Sequence, residues 1–174
     1  MEMNSANTQP EPVEAVHMTV SGRVQGVGFR PFIYRLAQSH KLTGWVRNCT
    51  GQVEIHIQGE NQALRAFSRS LFRSAPSLSQ PLLESCEPAS IDDLDCFTIR
   101  DSTADGARNI HVPPDLFTCD DCLAELDNPK DRRYRYPFIN CTQCGPRYTL
   151  IRDMPYDRPG TTMAGFELCA DCRR

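Results

Sequence analysis

Two sets of residues in this chain have the types and spacing to do chemistry. The first is Arg30, at the exit of the loop Gln25-Gly26-Val27-Gly28-Phe29-Arg30. Its guanidinium is a planar donor fork that matches two oxygens of a phosphate or carboxylate. The second is a set of six cysteines arranged as three Cys-x-x-Cys pairs: Cys119 and Cys122, Cys141 and Cys144, Cys169 and Cys172. Paired thiolates at that spacing can place two sulfurs on one side of a tetrahedral metal ion.

The elements around Arg30 explain how it would be presented. Val16, Met18 and Val20 alternate with His17, Thr19 and Ser21, which reads as a strand running into the loop. Phe29, Ile33, Leu36 and Ala37 recur at helical spacing and read as a helix running out of it, with Pro31 in the first turn, where a missing N–H costs nothing. In a strand–glycine loop–helix arrangement, successive N–H groups can converge on an anion, helped by the helix dipole. Gly26 and Gly28 let the backbone come close to that anion. The glycine spacing is neither a Walker loop nor a dinucleotide fingerprint. From mechanics alone, the same pattern also fits a tight turn followed by a solvated arginine.

Gly22-Arg23-Val24-Gln25-Gly26-Val27-Gly28-Phe29-Arg30 resembles the acylphosphatase signature. Asn48 follows within Gly44-Trp45-Val46-Arg47-Asn48-Cys49-Thr50-Gly51-Gln52-Val53-Glu54, which resembles that family's second motif. The resemblance covers roughly residues 15–101. It implies that residues 25–30 cradle a phosphoryl group, that Arg30 neutralises its charge and that Asn48 orients the attacking water. It also implies that the substrate's own phosphate takes the proton, and no His or Asp stands at the motif positions. The coarse pattern agrees with the family fold. After the first helix come strands at Leu42 to Cys49 and Val53 to Gln58 and a helix through Ala63, Leu64, Phe67 and Leu71. A weak strand follows at Leu82 to Glu87, then another at Cys96 to Arg100. The fold class expected is α+β, a ferredoxin-like βαββαβ domain with a possible extra boundary near residues 91–95. Arg47 reads as a solvated strand arginine, Cys49 as a half-buried thiol, Trp45 as packing and His56 as facing water.

Composition sets the bounds. The net charge of −3 argues against a general polyanion binder. No apolar run approaches the ~18 residues of a membrane span, and residues 1–14 lack a signal-peptide pattern and read as a disordered tail. A cytoplasmic, reducing setting follows, in which paired cysteines read as metal ligands. Three of the nine cysteines are scattered before residue 100 and six fall after residue 118, which argues for two domains. The expected boundaries are a tail at 1–14, the acylphosphatase-like domain at 15–101, a polar linker at 102–115 and a cysteine domain at 116–174.

Between the first two cysteine pairs lie 18 residues, a four-thiolate zinc-ribbon spacing. Four thiolates leave no open coordination position, so the Zn²⁺ expected on Cys119, Cys122, Cys141 and Cys144 is structural. Cys169 and Cys172 form a possible second site that lacks a partner pair, and pairing of the first pair with the third also stays open. The chain therefore reads as truncated, with a fourth pair expected beyond it.

The stretch Arg132-Arg133-Tyr134-Arg135-Tyr136-Pro137-Phe138-Ile139-Asn140-Cys141-Thr142-Gln143-Cys144-Gly145-Pro146-Arg147-Tyr148-Thr149 and the later Met154-Pro155-Tyr156-Asp157-Arg158-Pro159 resemble the HypF family of hydrogenase maturation carbamoyltransferases. Phe29-Arg30-Pro31-Phe32 does so too. That resemblance implies hydrolysis of carbamoyl phosphate to carbamate and phosphate by the first domain. It implies that later domains, absent from this sequence, activate carbamate and transfer the carbamoyl group to a HypE-like acceptor protein. Two rival readings are a nucleic-acid-binding zinc module built on the Arg132–Tyr136 cluster, and a docking fragment without turnover. Against the first, residues 101–174 hold 12 acidic and 10 basic residues. Against the second, Arg30 and Asn48 are both in place.

Overall fold

The computed structural model describes residues 12–49, 51–103, 117–141, 144, 147–153 and 157–170. Most of the expected 1–14 tail, most of the 102–115 linker and Cys172 lie outside them. Strand β1 (Val13–Arg23) reaches back into the segment expected as tail, pairing Val13 with Glu60.

Helix α1 (Phe29–Ser39) follows β1. Then come β2 (Thr43–Cys49), β3 (Gln52–Glu60), α2 (Asn61–Arg73), β4 (Gln80–Pro88) and β5 (Phe97–Ile99). The sheet order is β4-β1-β3-β2-β5. Only β5 runs parallel to its neighbour, pairing Gly44 with Phe97 and Val46 with Ile99. The α+β ferredoxin-like pattern is present, and the extra boundary suspected near residues 91–95 separates β4 from a fifth strand. Period-two alternation sends Met18, Val20, Val46, Val53, Ile55 and Ile57 to one face, where α1 lays Phe29, Ile33 and Ala37 and α2 lays Leu64, Phe67 and Leu71. Each large side chain buried this way contributes about 1.5–3 kcal/mol. This core holds the ends of β1 and β2 at the same edge of the sheet, on either side of β3, and those ends carry the loop and Asn48.

The other face of the sheet is not the solvated surface that alternation suggests. His56, expected to face water, is buried, with its ring stacked on Trp45 at 5.8 Å. Segment 89–96 folds back over this face. Gln58 Nε2 donates to the Asp92 carbonyl at 2.8 Å, and the Asp92 N–H donates to Gln58 Oε1 at 3.0 Å. Arg47 is not simply solvated either. It pairs with Glu54 at 2.6 Å and lies over the Trp45 ring. Gly22, in the loop motif, serves the sheet: at φ +86° a Cβ there would sit 2.2 Å from the Gln80 carbonyl oxygen of β4.

The cysteine-bearing part is small. Helix α3 (Asp120–Asp127) begins at Cys119, and short 3₁₀ turns lie at Tyr148–Leu150 and Arg158–Gly160. An isolated antiparallel bridge joins Ile151 to Thr161. The apolar centre of this part is Cys122, Ile139 and Cys144, so the ribbon-type cysteine spacing is carried on turns and one short helix.

Candidate functional site

Two buried valines, Val24 and Val27, pin the loop to the core, and the residues between and beyond them form its outer rim. Gly26 and Gly28 both have φ +72°, the left-handed region that glycine enters without steric cost. The Gln25 side chain is buried and acts as a strut. Its Nε2 donates to the Cys49 carbonyl at 2.7 Å and to the Gln52 carbonyl at 3.0 Å, tying the loop to the β2–β3 turn. Gly28 caps α1, and the first helical bond runs from the Phe32 N–H to the Gly28 carbonyl at 3.1 Å. The N–H groups of Phe29 and Arg30 therefore have no intrahelical partner, and they lie at the positive end of the helix dipole.

Asn48 sits near the end of β2 opposite Val53, fully buried, and its Oδ1 has no hydrogen-bond partner among the described residues. A buried acceptor left without a protein partner costs about 1–3 kcal/mol, so one that persists is suited to bind water or ligand. Asn48 shares a cavity of about 290 Å³ with Val24, Gln25, Gly26, Gly28, Phe29, Arg30 and Pro31. The two motifs, 18 positions apart in sequence from Arg30 to Asn48, thus meet in one cavity. Val27 belongs to the loop, but its side chain packs in the core. Among the described residues no carboxylate or imidazole lines this cavity.

Sequence reasoning missed four neighbours. Asn140 and Cys141 complete the cavity wall from the cysteine-bearing part. Ser102 and Asp157 bond the guanidinium: Arg30 Nη2 donates to Asp157 Oδ1 and Nη1 to Ser102 Oγ at 3.4 Å. The Ser102 hydroxyl donates to Asp157 Oδ2, which closes the triangle. Asn140 and Asp157 stand inside the stretches with HypF-like text, but no periodicity or spacing points them at residue 30. Cys49 is also nearby. Burial pushes its thiol up against the opposing effect of a hydrogen-bond contact with Thr103, so it is a packed thiol and not an activated one.

The second cluster is a metal centre in geometry. The sulfurs of Cys119, Cys122, Cys141 and Cys144 all lie within 4.8 Å of one another. Cys119 and Cys141 Sγ are 3.5 Å apart, Cys122 and Cys144 Sγ 3.9 Å, and Cys141 and Cys144 Sγ 3.9 Å. A tetrahedral ion at Zn–S distances of about 2.3 Å requires sulfurs about 3.8 Å apart, so the four residues fit such an ion. The backbone N–H of Cys141 and Nη2 of Arg147 each reach Cys144 Sγ at 3.3 Å. Burial pushes the Cys144 thiol up, but backbone hydrogen bonds from Cys141 and Cys119, with the Arg147 guanidinium, outweigh it and bring the group down to about 6. Burial pushes Cys122 up. Among the described residues the cluster joins the first pair to the second. Cys169 is exposed and stands outside it, within 4.0 Å of Arg132. In the basic aromatic cluster, Arg133 pairs with Glu125 and Arg135 lies over the Tyr134 ring.

A model of the acylphosphatase family matches residues 16–96, and one of the HypF finger matches residues 118–151. The acylphosphatase of Methanospirillum hungatei is 36% identical over 89 residues, which cover 98% of its length and 51% of this chain. The chain belongs to the acylphosphatase family. It carries an acylphosphatase domain followed by a segment that matches the HypF finger. The carbamoyltransferase HypF of Synechocystis is 48% identical over 88% of this chain and 20% of its own length. A crystal structure of full-length HypF in a phosphate- and nucleotide-bound form superposes with a TM-score of 0.86 at 42% identity, over 97% of this chain and 22% of that one. The chain spans about a fifth of the length of the HypF relatives it matches. Among the described residues no helix is long and apolar enough to cross a membrane.

Proposed function

We propose that the acylphosphatase domain hydrolyses acyl phosphates, with carbamoyl phosphate as the intended substrate. In this reading it is the first step of a HypF-type carbamoyl transfer to a HypE-like acceptor in the cytoplasm. The observation that carries the reading is the meeting of three features in one cavity: the glycine loop, Arg30 and the buried unpartnered Oδ1 of Asn48.

The chemistry needs no more than these groups. The N–H groups of the loop and of the α1 N-terminus hold the phosphoryl oxygens, and Arg30 neutralises their charge. Asn48 Oδ1 accepts a hydrogen bond from a water and places it in line with the scissile P–O bond. The water oxygen bonds to phosphorus as the acyl oxygen leaves with the electron pair, giving phosphate and carbamate. One water proton passes to a phosphoryl oxygen of the substrate, consistent with a cavity lined by no carboxylate or imidazole among the described residues. Cys119, Cys122, Cys141 and Cys144 would hold a structural Zn²⁺. With four thiolates it has no open position, so its contribution is to fix the finger rather than to react.

The test is phosphate release from carbamoyl phosphate, with acetyl phosphate beside it, for the chain and for Arg30→Ala. Release that disappears in the variant supports the reading. No release from a folded, metal-loaded chain refutes it.

A further inference from the structure

We propose that Asp157 of the cysteine-bearing part, together with Ser102, is a positioning residue that fixes the guanidinium of Arg30 for the phosphoryl group, a reading that rests on the hydrolytic function above. Arginine has a long side chain with many rotamers, and a phosphate clamp that must be ordered at the moment of reaction works less well than one ordered beforehand. Here the ordering is built in. The Asp157 carboxylate bridges Arg30 Nη2 and the Ser102 hydroxyl, and Ser102 in turn accepts from Arg30 Nη1 at 3.4 Å.

Both anchors are themselves held. Segment 100–103 continues along β2, with the Arg100 N–H on the Val46 carbonyl and the Thr103 N–H on the Asn48 carbonyl, both at 2.9 Å. Ser102 is therefore set beside Arg30 by the same strand that carries Asn48. Asp157 opens the 3₁₀ turn Arg158–Gly160, where the Gly160 N–H returns to its carbonyl at 2.8 Å.

The carboxylate lines a different cavity from the glycine loop. Arg30 lines two cavities: the phosphate cavity with Gly26, Gly28 and Asn48, and a second one with Ser102 and Asp157. Asp157 and Ser102 are absent from the walls of the first. Asp157 takes one N–H of Nη2 and Ser102 one N–H of Nη1, which leaves the other three of the five guanidinium N–H donors for a ligand. A carboxylate competing with phosphate would stand on the loop side.

The experiment compares steady-state hydrolysis of carbamoyl phosphate and inhibition by inorganic phosphate for the chain, Asp157→Ala, Asp157→Asn and Ser102→Ala. Metal content and Trp45 fluorescence serve as checks of folding. Asp157→Ala should lower kcat by about 10- to 100-fold, the order expected when a reacting group is misplaced by ~1 Å, with KM changed much less. Asp157→Asn should recover most of that loss, because the amide oxygen still accepts from Arg30. Ser102→Ala, on the other domain, should lower kcat in the same direction and carries the test if Asp157→Ala loses its metal. Unchanged kcat in both alanine variants, or faster hydrolysis with tighter phosphate inhibition in Asp157→Ala, overturns the positioning role while leaving the hydrolytic reading intact. A chain that releases no phosphate at all overturns both.

Discussion

Gln25 offers a measurable link between the glycine loop and Asn48. Its Nε2 holds two carbonyls of the β2–β3 turn, those of Cys49 and Gln52, while its Oε1 is buried with no partner among the described residues. Replacing it by methionine keeps the volume and removes both bonds. The Cys49 acceptor is then stranded in a buried position, a cost of about 1–3 kcal/mol. The Gln52 acceptor lies partly open and can turn to water, a loss of about 0.5 kcal/mol, while removing the orphaned Oε1 returns about 1 kcal/mol. The net expectation is a destabilisation of about 0.5–2.5 kcal/mol, or roughly 2–20 °C in Tm for a domain of this size. Trp45 is the only tryptophan and is buried on β2, so its fluorescence during urea unfolding reports on this domain alone. Loosening the loop against Asn48 should also lower acyl phosphate turnover by about tenfold or more, since the water and the phosphoryl group would no longer be held in line. A stability change below about 0.5 kcal/mol with full turnover would refute the strut. A large turnover loss at unchanged stability would refute it as well, and would instead make Gln25 a substrate contact.

Arg30→Ala should abolish both phosphate binding and turnover, whereas Asn48→Ala should remove turnover and leave phosphate binding largely intact. Equal loss of both in Asn48→Ala, measured by calorimetric titration with inorganic phosphate, would refute the water-positioning role. Gly22→Ala should destabilise the domain by more than about 2 kcal/mol, because its Cβ would meet the Gln80 carbonyl oxygen and no flexible side chain can give way. Denaturant unfolding checks this, and a near-neutral result would mean that β4 shifts freely. Cys119→Ser should lose the bound metal and Cys169→Ser should not, as read by metal analysis of the purified chain. Stripping the metal should lower turnover while leaving Trp45 fluorescence in place, because Asn140 and Cys141 wall the phosphate cavity and Asp157 holds Arg30.

Local order was legible without the structure because its signals are local. Alternation at Val16, Met18 and Val20, the helical spacing of Phe29, Ile33 and Ala37, and the two glycines before Phe29 each constrain a few neighbouring residues through backbone sterics and burial. Strand, loop and helix follow from them directly. The cysteine spacing worked the same way, since four thiolates at two Cys-x-x-Cys turns have few ways to avoid one another. Even so, spacing left open which pairs join, and the fold chose the first with the second by placing Ile139 and Cys122 in one small apolar centre.

What alternation could not show is a second layer. His56 looked solvent-facing because period two says only that it opposes the core face, not that Trp45 and segment 89–96 will cover it. The surroundings of Arg30 belong to the same class. Its own sequence neighbours define the loop, but its partners Ser102 and Asp157 come from 72 and 127 positions away. Ser102 arrives through the parallel register of the last strand on β2, and Asp157 through the docking of the cysteine-bearing part against the first domain. Sequence alone therefore determined an arginine behind a glycine loop and a four-thiolate cluster. Only the tertiary structure put both on one cavity wall, because long-range packing is set by the summed burial of many residues and leaves no periodic mark at any one of them.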